Sequence, residues 1–208
     1  MNRRRTENRV TWLLTMVALI TLLPPAAAPH AHADGTWTNK TRSPSERDGH
    51  AMAYLGGGQV LLFGGLRPGG FDDETWVYSL GTNTWTEQAP AAKVRPERSE
   101  RSEWAAPSAR ADHAMAYLGG DQVLLFGGND GDWDGETWVY DLSDNTWTDQ
   151  APAAAPSARF KPAMALLGAN QVLLFGGHDA GGYNGETWLA TGFFSPFRVY
   201  LPMVMRNY

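Results

Sequence analysis

Three stretches of this chain repeat one another, and a chain that repeats itself at a fixed spacing folds as repeated units. RDGHAMAYLGGGQVLLFGG, followed by FDDETWVY, begins at Arg47. RADHAMAYLGGDQVLLFGG with WDGETWVY begins at Arg110, and RFKPAMALLGANQVLLFGG with YNGETWLA at Arg159. The second and third copies start 49 residues apart and the first and second 63 apart. The excess is one polar insertion, residues 91–106, where copies two and three are joined simply by APAAAPSAR. The underlying period is about 50 residues, one supersecondary unit per copy.

Inside the second copy, HAMAYL, QVLLFGG, ETWVYDL and NTWTDQ read as four successive strands, mixing apolar runs with alternation. Gly119-Gly120-Asp121 and the stretch from Leu142 to Asn145 carry tight-turn chemistry between them. Four strands joined this way make an antiparallel meander, whose alternate connections lie at opposite ends. One end then gathers everything that varies: loops 66–73, 129–135 and 178–185, and the 91–106 insertion.

Each copy carries a double glycine, at Gly64-Gly65, Gly127-Gly128 and Gly176-Gly177. The first two continue with Tyr78 and Trp85, and with Tyr140 and Trp147, six residues intervening in each pair. In these features and in its period the chain resembles kelch repeats. The resemblance runs from about Asp34 to Ala190. It implies an all-β fold, a kelch-type β-propeller domain over residues 34–190 with about three four-stranded blades, at about 47–90, 110–152 and 159–190. Closed propellers usually have four to eight blades, so three make a partial propeller, or half of a ring closed by a second chain. The third copy departs from the pattern: it has Ala190 in place of the Tyr and runs into TGFFSPF with no second Trp. Asp34-Gly35-Thr36-Trp37-Thr38 matches the outer strand Asp144-Asn145-Thr146-Trp147-Thr148 and is expected to be a strand of that type, available for exchange.

Residues 1–33 read as a secretory signal peptide: Arg3, Arg4, Arg5 and Arg9, then an apolar core from Trp12 to Leu23, then Ala31-His32-Ala33. The core is too short to span a bilayer. The expected product is secreted or displayed at the cell surface, with no transmembrane segment after cleavage. Removing the signal changes 17 basic and 22 acidic residues to 13 and 21, a net charge of −8. Such an acidic chain argues against nucleic acid as a partner. The chain has no cysteine, which excludes disulfide staples and thiol catalysis. It also excludes the cysteine-linked tyrosine required by the radical copper oxidases that share kelch-type propellers.

The candidate ligand-binding residues lie in the recurrent loop ending, where Phe71, Trp133 and Tyr183 stand beside Asp72, Asp134 and Asn184. A ring next to an oxygen-bearing side chain suits a ligand with an apolar face and hydroxyls, such as a sugar. The alternative is that each ring caps its own blade. Trp104, ending the insertion, is a further candidate anchor. Asp130, Asp132 and Asp134 with Gly135 match the opening of a calcium loop, although strand signals follow where such a loop expects a helix and the other copies lack the triad. Arg47, Arg110, Arg159 and Glu74, Glu136, Glu186 recur in register and read as an ordered network between strands. One active site needs one unique carboxylate pair, so no catalytic residue and no cofactor is expected. The tail, residues 191–208, is apolar and reads either as a sorting segment or as a last strand.

These observations imply an exported, non-catalytic binding scaffold that recognises protein or glycan through its loop face, with a homodimer completing a ring as a further expectation. Two alternatives stand beside it: a carbohydrate-active or galactose-oxidase-related enzyme remnant, and an envelope protein retained by its tail.

Overall fold

The computed structural model describes residues 35–40, 43–89, 106–168 and 170–193. Residues 1–33, expected above to be a signal peptide, Trp104 with most of the insertion, and the tail from residue 194 lie outside these. The chain divides into a unit of residues 1–38 and one of residues 39–208. Gly35–Thr38 of the first unit carry no strand, contrary to the expectation for Asp34–Thr38. Thr-Trp-Thr supplies β-propensity, but a strand also needs a neighbour's backbone to bond.

The described part of the second unit is all-β. Copy one forms β1 (Ala51–Gly56), β2 (Gln59–Phe63), a small hairpin of β3 (Leu66–Arg67) and β4 (Gly70–Phe71), then β5 (Thr75–Ser79) and β6 (Thr84–Gln88). Copy two forms β7 (Ala114–Gly119), β8 (Gln122–Phe126), β9 (Thr137–Asp141) and β10 (Thr146–Asp149). Copy three forms β11 (Ala163–Gly168), β12 (Gln171–Phe175), the hairpin of β13 (His178–Asp179) and β14 (Gly182–Tyr183), and β15 (Thr187–Ala190). The main sheets run β1-β2-β5-β6, β7-β8-β9-β10 and β11-β12-β15, all antiparallel. The first two sheets are the four-stranded meander expected of each copy, consistent with a partial kelch-type β-propeller. The third sheet stops at three strands among the described residues.

Cross-strand register sorts the side chains into two faces per sheet. In the first sheet Ala53 pairs with Leu61 and Leu61 with Val77, placing all three on one face. Tyr54, Val60, Tyr78 and Trp85 align on the other. The first face packs on the second sheet: Leu55, Leu61, Phe63 and Val77 form a buried cluster with Met115, Val123, Leu125, Trp138, Tyr140 and Trp147. The opposite face of the second sheet, with Ala116, Leu118, Leu124 and Val139, packs on Val172 of the third, with Met164 and Ala190 alongside. The innermost strands keep the same order, β1 on β7 and β7 on β11.

Backbone contacts repeat at each junction. Gly65 N donates to Arg110 O at 2.8 Å, and Gly128 N to Arg159 O at 2.9 Å. Arg110 N donates to Asp72 O, and Arg159 N to Asp134 O. This approach explains the first glycine of each pair. Gly64 and Gly127 have positive φ, and a Cβ on either would lie 2.5 Å from the following repeat's Arg carbonyl oxygen.

Candidate functional site at the loop face

Under the loop face each repeat is fastened by its arginine. Arg110 is fully buried; its Nη1 donates to Gly127 O and pairs with Asp134 at 2.7 Å, its Nε donates to Ser108 O, and its Nη2 donates to Glu136 Oε2 at 2.8 Å. Trp138 Nε1 donates to the same Glu136 oxygen. Arg159 makes the equivalent bonds to Ser157 O, Gly176 O and Glu186, whose partner is Trp188. Arg47 does so with Ser45 O, Gly64 O and Glu74, and Arg67 adds a pair with Asp72 and another with Glu74. The Trp188 indole first, and then Arg159, hold Glu186 below the usual carboxylate range. The recurrent Arg, Glu and Trp are thus one clamp per repeat, built from charge-assisted bonds that converge on a buried guanidinium.

That clamp absorbs part of the predicted binding set. Asp72 is buried against Arg47 and Arg67. Asp134 pairs with Arg110, and its Oδ1 accepts the Glu136 N–H. Asn184 accepts the Glu186 N–H through Oδ1 and donates to Asp179. The calcium triad does not converge, because Asp134 is turned to Arg110 while Asp130 accepts from Ser108 Oγ and from the Asp132 N–H. Among the described residues no group of three or more His, Asp or Glu is arranged to hold a metal ion.

The rings behave differently. Phe71 and Trp133 are each 38% exposed, and Tyr183 is 97% exposed. Trp133 and Tyr183 both border His178, at ring-centroid distances of 5.6 and 5.2 Å and steep interplanar angles. Phe160 lies 5.2 Å from His178 and 6.3 Å from Trp133, and Lys161 Nζ sits 5.7 Å from the Phe160 centroid. A continuous aromatic surface therefore runs from the second repeat's loop to the third's. Beside Trp133 lies a groove walled by Asp132, Ser157 and Asp179. Hydrogen bonds from Ser157, Asn184 and the Gly181 N–H lower the Asp179 pKa, so the groove carries a negative charge at neutral pH.

Phe160 and His178 belong to this aromatic surface, and sequence reasoning did not place them among the candidate ligand-binding residues. They form a backbone bridge with each other, Phe160 N donating to His178 O and His178 N to Phe160 O. The same bridge joins Asp48 to Leu66 in copy one and Ala111 to Asn129 in copy two. The available signal was that both positions differ in every copy, Asp48, Ala111 and Phe160 against Leu66, Asn129 and His178, and that copy three places two rings there. Architecture repeats, so positions that vary from copy to copy point away from architecture. His113 is a separate case: burial, then Arg110, then His50 lower its pKa to about 3, and its ring stands edge-on to Phe63.

Residues 47–91 match the family model described as the Kelch motif. With the all-strand fold, the match supports a kelch-type repeat protein. The chain is also similar to Multiple epidermal growth factor-like domains protein 8 of Mus musculus, 32% identical over 112 residues, and to the Homo sapiens protein of that name, 33% identical over 113. These alignments cover 52% of this chain but only 4% of those proteins. Epidermal growth factor-like modules are disulfide-dense, and this chain has no cysteine, so the shared segment is not such a module.

Proposed function

We propose that this chain is an exported, non-catalytic interaction scaffold whose ligand lies across the loop face between the second and third repeats. The observation that carries the reading is the aromatic surface of Trp133, Phe160, His178 and Tyr183, found at one junction and not the other. Exposed rings held in place by their neighbours give contact area with little ordering cost, and the groove beside Trp133 adds the carboxylates of Asp132 and Asp179. A protein segment or a glycan presenting an apolar face and hydrogen-bond donors fits this surface. The Kelch motif suggests the same kind of role, since such repeats generally serve as protein-interaction scaffolds. Identical Glu-Arg-Trp clamps on every repeat support a non-catalytic reading, because their carboxylates are committed to the same guanidinium each time.

Export rests on the signal-peptide features of residues 1–33. Among the described residues no helix is long and apolar enough to cross a membrane. Two chains of three repeats pairing into one six-bladed ring complete the proposal.

The test is a glycan array and a peptide array probed with wild type and with the Trp133→Ala and Tyr183→Ala variants. Loss of the wild-type hits in Trp133→Ala, with an unchanged melting temperature, is the expected result. Unchanged binding in both variants places the site elsewhere.

A further inference from the structure

Trp147 of β10 fills the junction between the first and second sheets. It is buried, its Nε1 donates to Thr75 Oγ1 at 3.1 Å, and its ring lies 5.0 Å from Phe63 and 5.1 Å from Tyr140. In the next junction the residues equivalent to Phe63, Thr75 and Tyr140 are Phe126, Thr137 and Ala190, by their place in each copy. These three line an apolar cavity of about 220 Å³, with Leu174, Trp188 and Phe193 among its other walls. The cavity is therefore the socket of an indole that copy three does not encode, and Thr137 supplies the matching acceptor.

Besides Thr84-Trp85-Thr86 of β6 and Thr146-Trp147-Thr148 of β10, the chain contains a third Thr-Trp-Thr, at Thr36-Trp37-Thr38, and Trp37 is exposed. In the second sheet Thr146, Trp147 and Thr148 pair with Asp141, Tyr140 and Val139 of β9. The same register on β15 sets Thr36 against Thr191, Trp37 against Ala190 and Thr38 against Leu189. The small side chain at Ala190 leaves the room that Tyr140 takes in the second sheet.

The open ends of the arc say whose Trp37 this is. The free face of the third sheet carries Leu167, Phe175 and Leu189, which correspond to Leu118, Phe126 and Val139. Phe126 is 3% exposed and Phe175 is 54% exposed. The free face of the first sheet carries Met52, Trp76 and Trp85, which correspond to Met115, Trp138 and Trp147. Met115 is 7% exposed and Met52 is 54% exposed. The two ends are the two unlike halves of one inter-sheet interface, at opposite ends of a row in which β1 and β11 each pack on β7. A second copy brings its first sheet to the third sheet of this one, and with it offers the Thr36-Trp37-Thr38 segment that comes earlier in its sequence.

We infer that the Thr36-Trp37-Thr38 strand of a second copy completes the third sheet by pairing with β15, and that its Trp37 occupies the cavity between the second and third sheets. This rests on the two-chain ring proposed above and assigns its seal. The exchange is reciprocal, as two-fold symmetry requires, and covers apolar ends that an isolated arc leaves wet.

The absence of cysteine makes the test clean. Full-length Thr36→Cys and Thr191→Cys chains are prepared separately, mixed and mildly oxidised. A mixed disulfide between the two chains is expected, at the register given above, and light scattering should show a wild-type dimer. Trp37→Ala should weaken that dimer about a hundredfold, the loss typical of a buried Trp anchor. A Thr36→Cys/Thr191→Cys double variant that cross-links only within monomers overturns the second copy as occupant. A dimer indifferent to Trp37→Ala and giving no mixed disulfide overturns the socket while leaving the ring. A strictly monomeric wild type at micromolar concentration overturns both.

Discussion

The two junctions between sheets are built from repeated sequence and, among the described residues, differ by one strand. Between the first and second sheets, Trp147 reaches across to Thr75 and Phe63, and the interface is closed. Between the second and third, Phe126 and Thr137 wait on one side and Ala190 on the other, around a cavity. A repeat interface here is not a property of either sheet alone. It closes without a cavity when the preceding repeat's face and the following repeat's outer strand are both present.

The largest expected effect is at Trp147. Trp147→Ala removes a fully buried indole and should cost about 3–5 kcal/mol, read from urea denaturation of the full chain. Trp85→Ala removes the equivalent residue of the first sheet, which is only half-buried because no sheet among the described residues packs on that face, and in the dissociated single chain it should cost about 1 kcal/mol. Equal losses in the single chain would break the comparison.

A smaller effect separates the glycines. Gly127→Ala incurs the left-handed backbone penalty of about 1–2 kcal/mol and also drives a methyl against Arg159 O. Gly176→Ala incurs the penalty alone, since the nearest atom to its Cβ is Asn184 O at 3.4 Å. Thermal melts should therefore rank Gly127→Ala below Gly176→Ala, and the reverse order would show that the following repeat does not press on the glycine.

The smallest effect is in pH. His113 lies in the closed junction and stays neutral when folded, with a pKa of about 3 against an ordinary 6.5. The unfolded chain takes up a proton between those values and the folded chain does not, so His113's contribution is complete above about pH 6.5 and declines as pH falls. His113→Leu should flatten the melting-temperature profile between about pH 4.5 and 6.5, above the range where clamp carboxylates such as Glu186 begin to protonate. Copy three has Pro162 at this position, so no such slope arises from it.

The sequence was most legible where it repeated. Copies in register gave the strand order, the turns and the Arg-Glu network, because each residue could be checked against two equivalents. Where strand existence depends on a partner, the reading failed: Thr36-Trp37-Thr38 has the sequence of an outer strand and none of its pairing in Gly35–Lys40. The candidate site was half legible. Exposure of Trp133 and Tyr183 accords with their loop positions, but spacing could not show that the Asp72 and Asp134 carboxylates turn inward to arginines, a matter of side-chain direction. Phe160 and His178 meet across 18 residues of sequence through a single bridge, and only comparison of the copies' differences marks them.

Ends that are unlike and mutually complementary also make the chain a unit of growth. Such a unit adds head to tail, and only the rotation accumulated across its three sheets decides between a closed object and a fibre. In the two-chain ring proposed above, closure at two copies is a geometric stop on polymerisation. A change that alters sheet-to-sheet rotation, even one far from both ends, would then trade that ring for an extending filament.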